Sequence, residues 1–369
     1  MRIKAALSVI AFVTAASLLG AAPAMAGKPS SGGNGIKVEE LVKPAGSIRA
    51  YANAVNDSGT IAVGAAYWDA TWTYRNNFYA VRWTRATTAD PWVAEDLRPL
   101  MPMGGGGYPI DSRAVGVNDA GTILFMTFSS NHRYVVTSAG AVIDLGANLA
   151  FGLSNNDTMA GYRPGSPAVA LFWATPTSQP EELPSLASGY DAIASFFQGA
   201  DLIGTATDAS GTWVVRWVNS AGSWSVQRVA LLPPRASGPG GMNSAGRISL
   251  GLYDPVSAPY GWDHRPAVWD PPYTQPPIPL PTVSGTAGGA GAVLEDGTVV
   301  GVVTASSKTV KNWLPVIWPT PTSLVRLPLL SGGKYGDTHG VNAYRQIAGT
   351  VNFVDGWSTP EHAVIWTLP

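Results

Sequence analysis

No cysteine occurs anywhere in the chain, so no disulfide staples the fold and no thiolate is offered to a metal. Charge is scarce too. Only 13% of residues are Asp, Glu, Lys or Arg, against about a quarter in ordinary globular proteins, and the formal balance is −1. Beyond the first few residues there is no block of Lys or Arg, which excludes the basic footprint that nucleic acid requires. Histidine is limited to four residues, and no HExxH spacing joins any two of them. Together with the missing cysteine, this leaves no expected transition-metal site and no cofactor. GGGG at 104–107 is followed by neither a helix pattern nor a lysine, so it is no phosphate loop. Nothing reads as a long amphipathic helix. What is plentiful is turn chemistry: 42 Gly and 30 Pro among 369 residues, the signature of many short strands.

Those turns recur. An apolar-Asn-Asp-small-Gly-Thr-apolar phrase stands at Val55 (VNDSGTI), Val117 (VNDAGTI), Met242 (MNSAGRI) and Val293 (VLEDGTV), with weaker copies at Leu153, Phe196 and Val341. Each is followed by a short apolar strand, which ends at Trp83, Trp173, Trp217, Trp269, Trp318 and Trp366; the second copy, RYVVT, carries Thr137 there instead. Asn56 and Asn342 lie 286 residues apart over six intervals, a mean period of about 48, which suits one four-stranded propeller blade. Asn and Asp tolerate left-handed dihedrals and Gly adopts them freely, so the phrase reads as a hairpin turn.

A further apolar segment, rich in proline and charge, follows each tryptophan strand near Leu97, Leu145, Leu183, Leu231, Leu280 and Leu327. Those residues suit an outer edge strand, where one row of N–H groups pairs with nothing. The seventh unit ends at HAVIWTLP without such a segment, whereas IKVEELV at 36–42 precedes the first unit as an unmatched copy. The expectation is an all-β fold, a seven-bladed β-propeller whose last blade is closed by an N-terminal strand. A seven-turn solenoid is the alternative, but it leaves IKVEELV without a task. A single domain over residues 36–369 is expected, and a ring of that size buries enough apolar surface to need no disulfide.

The opening residues read as an export signal over 1–26: a basic MRIK start, an apolar run from Ala5 to Gly20, and AMA at 24–26 for cleavage. Losing Arg2 and Lys4 moves the formal balance to about −3. GKPSSGGNG at 27–35 reads as a flexible leader, and no other stretch is long enough to span a bilayer. The expectation is an exported, periplasmic or extracellular monomer with no membrane span after signal removal.

The units resemble the HAF repeats of bacterial extracellular proteins, whose signature is roughly a GINDxG turn, a HAFLW strand and a DLG segment. The matching pieces are VNDSG, VNDAG, HAVIW ending at Trp366 and VIDLG ending at Gly146. The resemblance implies an exported repeat protein and supplies no catalytic residues.

Chemistry-bearing residues are sparse. His132, His264 and His362 occupy equivalent repeat positions, which the fold explains better than a site does. Asp337 and His339 lie on a first strand and are expected to face the channel, as a hydrogen-bonded structural pair. A calcium loop needs alternating oxygen ligands, and VNDSG has one Asn-Asp pair, so turn chemistry suffices. GxSxG is absent.

The most suggestive constellation is aromatic. Connections between the second and third strands are read as long in three units: Tyr67–Asn77, Tyr253–His264 and Asn352–Glu361. They share one face of the ring, opposite the NDxG turns. Flat rings beside planar polar groups suit sugars, so Trp68, Asp69, Trp72, Tyr74, Arg75, Trp262, Asp263 and Trp357 are the expected ligand-binding residues. Capping of the core by these aromatics is the competing explanation. The function expected is a binding or interaction scaffold for an extracellular glycan or cell-envelope partner. The rivals are a polysaccharide hydrolase or lyase over the channel, with Asp69, Asp254, Asp263 and Asp355 as acids by location, and a purely structural surface protein. The catalytic residues of such an enzyme are unknown from sequence.

Overall fold

The computed structural model describes residues 30–31, 35–68, 78–103, 109–127, 132–253, 264–283, 287–304, 312–353 and 361–369. Seven antiparallel sheets, each of at least four strands, form the ring of a seven-bladed β-propeller. Blade one comprises Arg49–Val55, Ile61–Tyr67, Phe78–Thr84 and Val93–Asp96. Blades two to seven begin at Ser112, Leu149, Ala192, Gly241, Gly288 and Tyr335. The first strands of blades seven, one and two pack on one another and line the axis. Helical structure among the described residues is limited to 3-10 conformation, at Arg98–Leu100 and at Val283.

Blade seven is completed from the other end of the chain. Lys37–Glu40 lies against Glu361–Thr367, with Lys37 opposite Thr367, Val38 opposite Trp366, Glu39 opposite Ile365 and Glu40 opposite Val364. Ser30–Ser31, within the segment read as a leader, adds a short fifth strand outside Lys37–Glu40. Residues 1–26, read as an export signal, lie outside the described residues.

The repeated asparagines hold each turn and also the next one round the ring. Asn56, Asn118, Asn243 and Asn342 are buried. Each side-chain oxygen accepts a backbone N–H four residues on, from Thr60, Thr122, Arg247 and Gln346. The side-chain amides of three of them donate to the following blade's turn: Asn118 to Ser154 O, Asn243 to Leu294 O and Asn342 to Asn56 O, the last across the closure seam. The glycine slot is left-handed at Gly59, Gly121, Gly246 and Gly297, and in two weaker copies Asp157 and Arg345 take the same positive φ. The degenerate phrases are therefore still the same turn.

The tryptophans are 0–5% exposed and lie between blades. Four of them donate their indole N–H to the carbonyl two residues beyond the preceding blade's outer strand: Trp83 to Val42, Trp217 to Pro184, Trp318 to Pro281 and Trp366 to Pro328, at 2.6–2.8 Å. Blades one, four, six and seven are thus each pinned to the one before. Room for the indole comes from a glycine on the second strand. A Cβ at Gly349 would lie 2.1 Å from Asp337 O and 2.6 Å from Trp366 Cζ3, and Gly64, Gly161, Gly204 and Gly301 meet first-strand carbonyls as closely.

Blades two and five depart from that rule in a compensated way. The register places Phe125 and Leu250 where the other blades have this glycine. In blade two it also places Val136, not Thr137, at the tryptophan position, opposite Ile123, so the sequence reading of RYVVT was one residue out. Phe125 is fully buried beside the smaller Val136. In blade five Trp269 is retained, but its indole donates to Gln275 O within its own blade.

Candidate functional site

The two ends of the channel differ. At the NDxG end, polar side chains are spent on one another. Asp57 accepts from Ala343 N of blade seven and from the Asn155 side chain of blade three, a bond that skips a blade. Asp119 accepts from Ser58 N, and its own N–H donates to Asn155. Across the ring, Glu295 accepts from Ser244 of blade five and from Gln198 of blade four. Arg345 of blade seven pairs with Asp296 of blade six.

At the opposite end, first strands begin and second strands finish. The residues there that pair in equivalent register are Asp337 in blade seven, Tyr51 in one, Arg113 in two, Leu149 in three, Ile193 in four and Gly289 in six. The polar and aromatic members are confined to three successive blades. Asymmetry of this kind is not needed by a ring, so it marks a candidate site.

The cluster is dense. Arg49 places its guanidinium carbon 3.6 Å from the Tyr67 ring centre, a cation–π contact. Tyr67 lies 6.2 Å from Tyr51 and 5.3 Å from Phe78, and Tyr51 lies 6.3 Å from the exposed His339 ring. Glu361 opens the third strand of blade seven, opposite Asn352, two residues from the register of Asp337 on the same sheet. Burial pushes its carboxyl up to about 7; nearby Arg49 opposes this and Asp337 adds to it. Burial likewise raises the Tyr51 phenol, and it carries the Tyr67 phenol to about 12 with help from the Glu361 charge. Asp111, buried just before the first strand of blade two, is also desolvated to about 7.

These two carboxyls set a pH dependence. Their folded values lie above the ordinary value near 4, so the folded state holds protons that the unfolded state releases. Their contribution to stability is therefore full below pH of about 4 and is lost as pH rises through about 7. The melting temperature of the parent is expected to fall relative to Glu361→Gln/Asp111→Asn between pH 5 and 8. Parallel curves for the two proteins count against the raised values.

The residues expected from sequence fare unevenly. Trp68 is half-buried, donates its indole N–H to Ala45 O, and lies under the Arg98 guanidinium at 3.9 Å and beside Tyr79 at 6.0 Å. Its ring is committed to the seam between blades seven and one. Asp69, Trp72, Tyr74, Arg75, Trp262, Asp263 and Trp357 lie outside the described residues, as do the acids Asp254 and Asp355. The strand limits correct one reading: the second connection of blade six spans 305–312, as long as the 353–360 of blade seven. Long connections therefore occupy the contiguous arc of blades five, six, seven and one. Blade four needs only Ala209 and Ser210.

Asp337 and His339 are on the channel strand as expected, but among the described residues they make no hydrogen bond to each other. His339 approaches Thr350 Oγ1 at 3.4 Å. His132 pairs with Asp144 at 3.1 Å and His362 with Glu40 at 2.5 Å, contacts between neighbouring strands. Among the described residues no group of three or more His, Asp or Glu is placed to hold a metal ion, and no helix is long and apolar enough to cross a membrane.

No family model and no curated protein matches the chain. Solved structures resemble it at low identity. A catalytically inactive virginiamycin B lyase from Staphylococcus aureus with quinupristin has 10% identity and a TM-score of 0.46, covering 90% of this chain and 100% of that one. YCF48 from Cyanidioschyzon merolae has 11% identity and a TM-score of 0.49, covering 90% and 99%. Puromycin hydrolase has 12% identity and a TM-score of 0.49, covering 83% of this chain and 51% of that one. Likeness at this level says nothing of activity.

Proposed function

We propose that this chain is an exported, monomeric propeller scaffold that binds an extracellular glycan or cell-envelope partner on its long-loop face. One observation carries the choice of face. Aromatic and ionisable groups of blades seven, one and two gather at that end of the channel, while at the NDxG end the turn side chains satisfy one another. His339 offers an exposed ring beside the half-buried Tyr51 and Tyr67, and Asp337 and Glu361 offer planar polar groups. Sugars present apolar C–H faces and many hydroxyls, so they match both kinds of surface.

A second reading, a polysaccharide hydrolase or lyase, draws on Glu361. A carboxyl that keeps its proton near neutrality beside a second acid, Asp337, has the form of a general acid with a partner carboxylate.

Both readings meet in one experiment: the mature protein on a glycan array, with hits titrated and incubated to look for shorter products. His339→Ala and Trp357→Ala are each expected to weaken a hit at least tenfold, about 1.4 kcal/mol, with the melting temperature nearly unchanged. Undiminished binding in both variants, or loss only on replacing Asp119 on the opposite face, removes the binding site proposed. Shortened products that disappear in Glu361→Gln favour the hydrolase or lyase; intact sugars favour the scaffold.

A further inference from the structure

Blade two breaks the repeat at one more place. On its third strand, Arg133 lies opposite Met126, and the same register in the other blades holds Ala80, Ala170, Val214, Pro266, Pro315 and Ala363. Six blades therefore need a small or apolar residue where blade two has a guanidinium. Arg133 is 4% exposed, and its Nε makes no hydrogen bond. Among the described residues no carboxylate pairs with it. The charge that acts on it is another cation, Arg113, which lies opposite Met126 from the other side and donates to Met126 Sδ at 2.9 Å. Burial and the Arg113 charge together lower the Arg133 value to about 10.

A buried cation without an anionic partner is destabilising, and a second cation beside it adds to the cost. The fold gives no return for this, because blades with alanine or proline at that position close equally well. The surroundings show what would offset it. The Arg133 guanidinium carbon is 5.4 Å from the centre of the Phe151 ring, and Phe151, on the first strand of blade three, is 44% exposed. Phe151 in turn stacks on Tyr162 at 5.9 Å with 15° between planes. A flat apolar platform thus stands in the channel beside two cations.

We propose that Arg113, Arg133 and Phe151 form a subsite for a carboxylate carried on a ring with an apolar face, of which a uronic acid is the sugar example. The carboxylate takes the guanidinium fork and the ring lies on Phe151. That the ring belongs to a sugar rests on the glycan reading above; the carboxylate subsite rests on the residues of blades two and three.

The test is calorimetric titration of the parent, Arg133→Met and Arg133→Lys with trigalacturonate, neutral galactotriose and benzoate. Trigalacturonate is expected to bind the parent, to weaken at least tenfold in Arg133→Met, and to be only partly restored in Arg133→Lys, which keeps charge but loses the fork. Galactotriose is expected to be indifferent to position 133. Arg133→Met removes an unpaired buried charge, so its melting temperature should be no lower than the parent's; should it fail to fold, Arg133→Lys carries the comparison. Benzoate bound through Arg133 without any sugar binding keeps the subsite and defeats the glycan reading. Galactotriose bound as tightly as trigalacturonate keeps the glycan reading and overturns the subsite. Failure of both carboxylates to bind, or equal affinity in all three proteins, overturns it as well.

Discussion

A protein lacking residues 36–42 is expected to melt far below the parent or to aggregate. Ile36, Val38 and Leu41 are all buried in that segment. At roughly 1.5–3 kcal/mol for each buried side chain, their loss is a large share of the 5–15 kcal/mol that holds a typical domain folded. The backbone loss adds to it. Glu361–Thr367 would become an open edge, and Leu41 N would no longer donate to Ala363 O. Two side-chain ties go as well: Glu40 to His362, and Glu39 to the buried Arg85 at 3.1 Å. Trp83 would also lose the Val42 carbonyl, so the damage passes into blade one. Thermal melting and size-exclusion chromatography decide the matter. A deletion protein that melts like the parent and stays monomeric shows that closure contributes nothing.

Trp217→Ala is expected to cost about 3–5 kcal/mol, the range for removing a fully buried large aromatic. The indole fills the space between blades three and four, packed with Ala160, Ala170, Leu183 and Val215. Its N–H also satisfies Pro184 O, which would be left without that donor. Trp217→Phe separates these contributions in part, since it keeps much of the apolar contact while losing the hydrogen bond and some ring volume; about 1–3 kcal/mol is expected. Urea unfolding with an unchanged slope is the measurement. A loss below about 1 kcal/mol in Trp217→Ala would mean that the blades are not held together through their tryptophans.

Much of this architecture was legible because it repeats. The NDxG turns, the tryptophan strands and the unmatched 36–42 segment each correspond to an element of the ring, down to the pairing of Val38 with Trp366. The second-strand glycines were equally available in IAVG, MAG, LIG, VVG and IAG, but their meaning depends on a first-strand carbonyl that only the fold brings near. Blade two was misread for a physical reason: exchanging Gly for Phe125 and Trp for Val136 conserves volume across two strands, so neither strand alone looks regular. That slip also hid Arg133, which looks like ordinary polar flanking until the register sets it beside alanines and prolines. The candidate site was legible only as a choice of face. Arg49, Glu361, Arg113 and Arg133 each occur once, and a repeat comparison discards what occurs once.

The pairing of Lys37–Glu40 with Glu361–Thr367 has a consequence in time. As the polypeptide leaves the ribosome, the strand at 37–40 is complete before any of the seven units, and its partner is finished after all of them. For that whole interval it is an orphan edge, and every blade assembles in an arc whose two ends have not met. A bare strand in that position would invite pairing with a nascent neighbour. Lys37, Glu39 and Glu40 put charge along it, while Val38 alone points into the buried layer. The same residues that later join Arg85 and His362 thus serve first as a guard. The final docking is a meeting of distant chain segments, so it should be the slow step of folding, governed by how soon the arc curves far enough for its ends to touch.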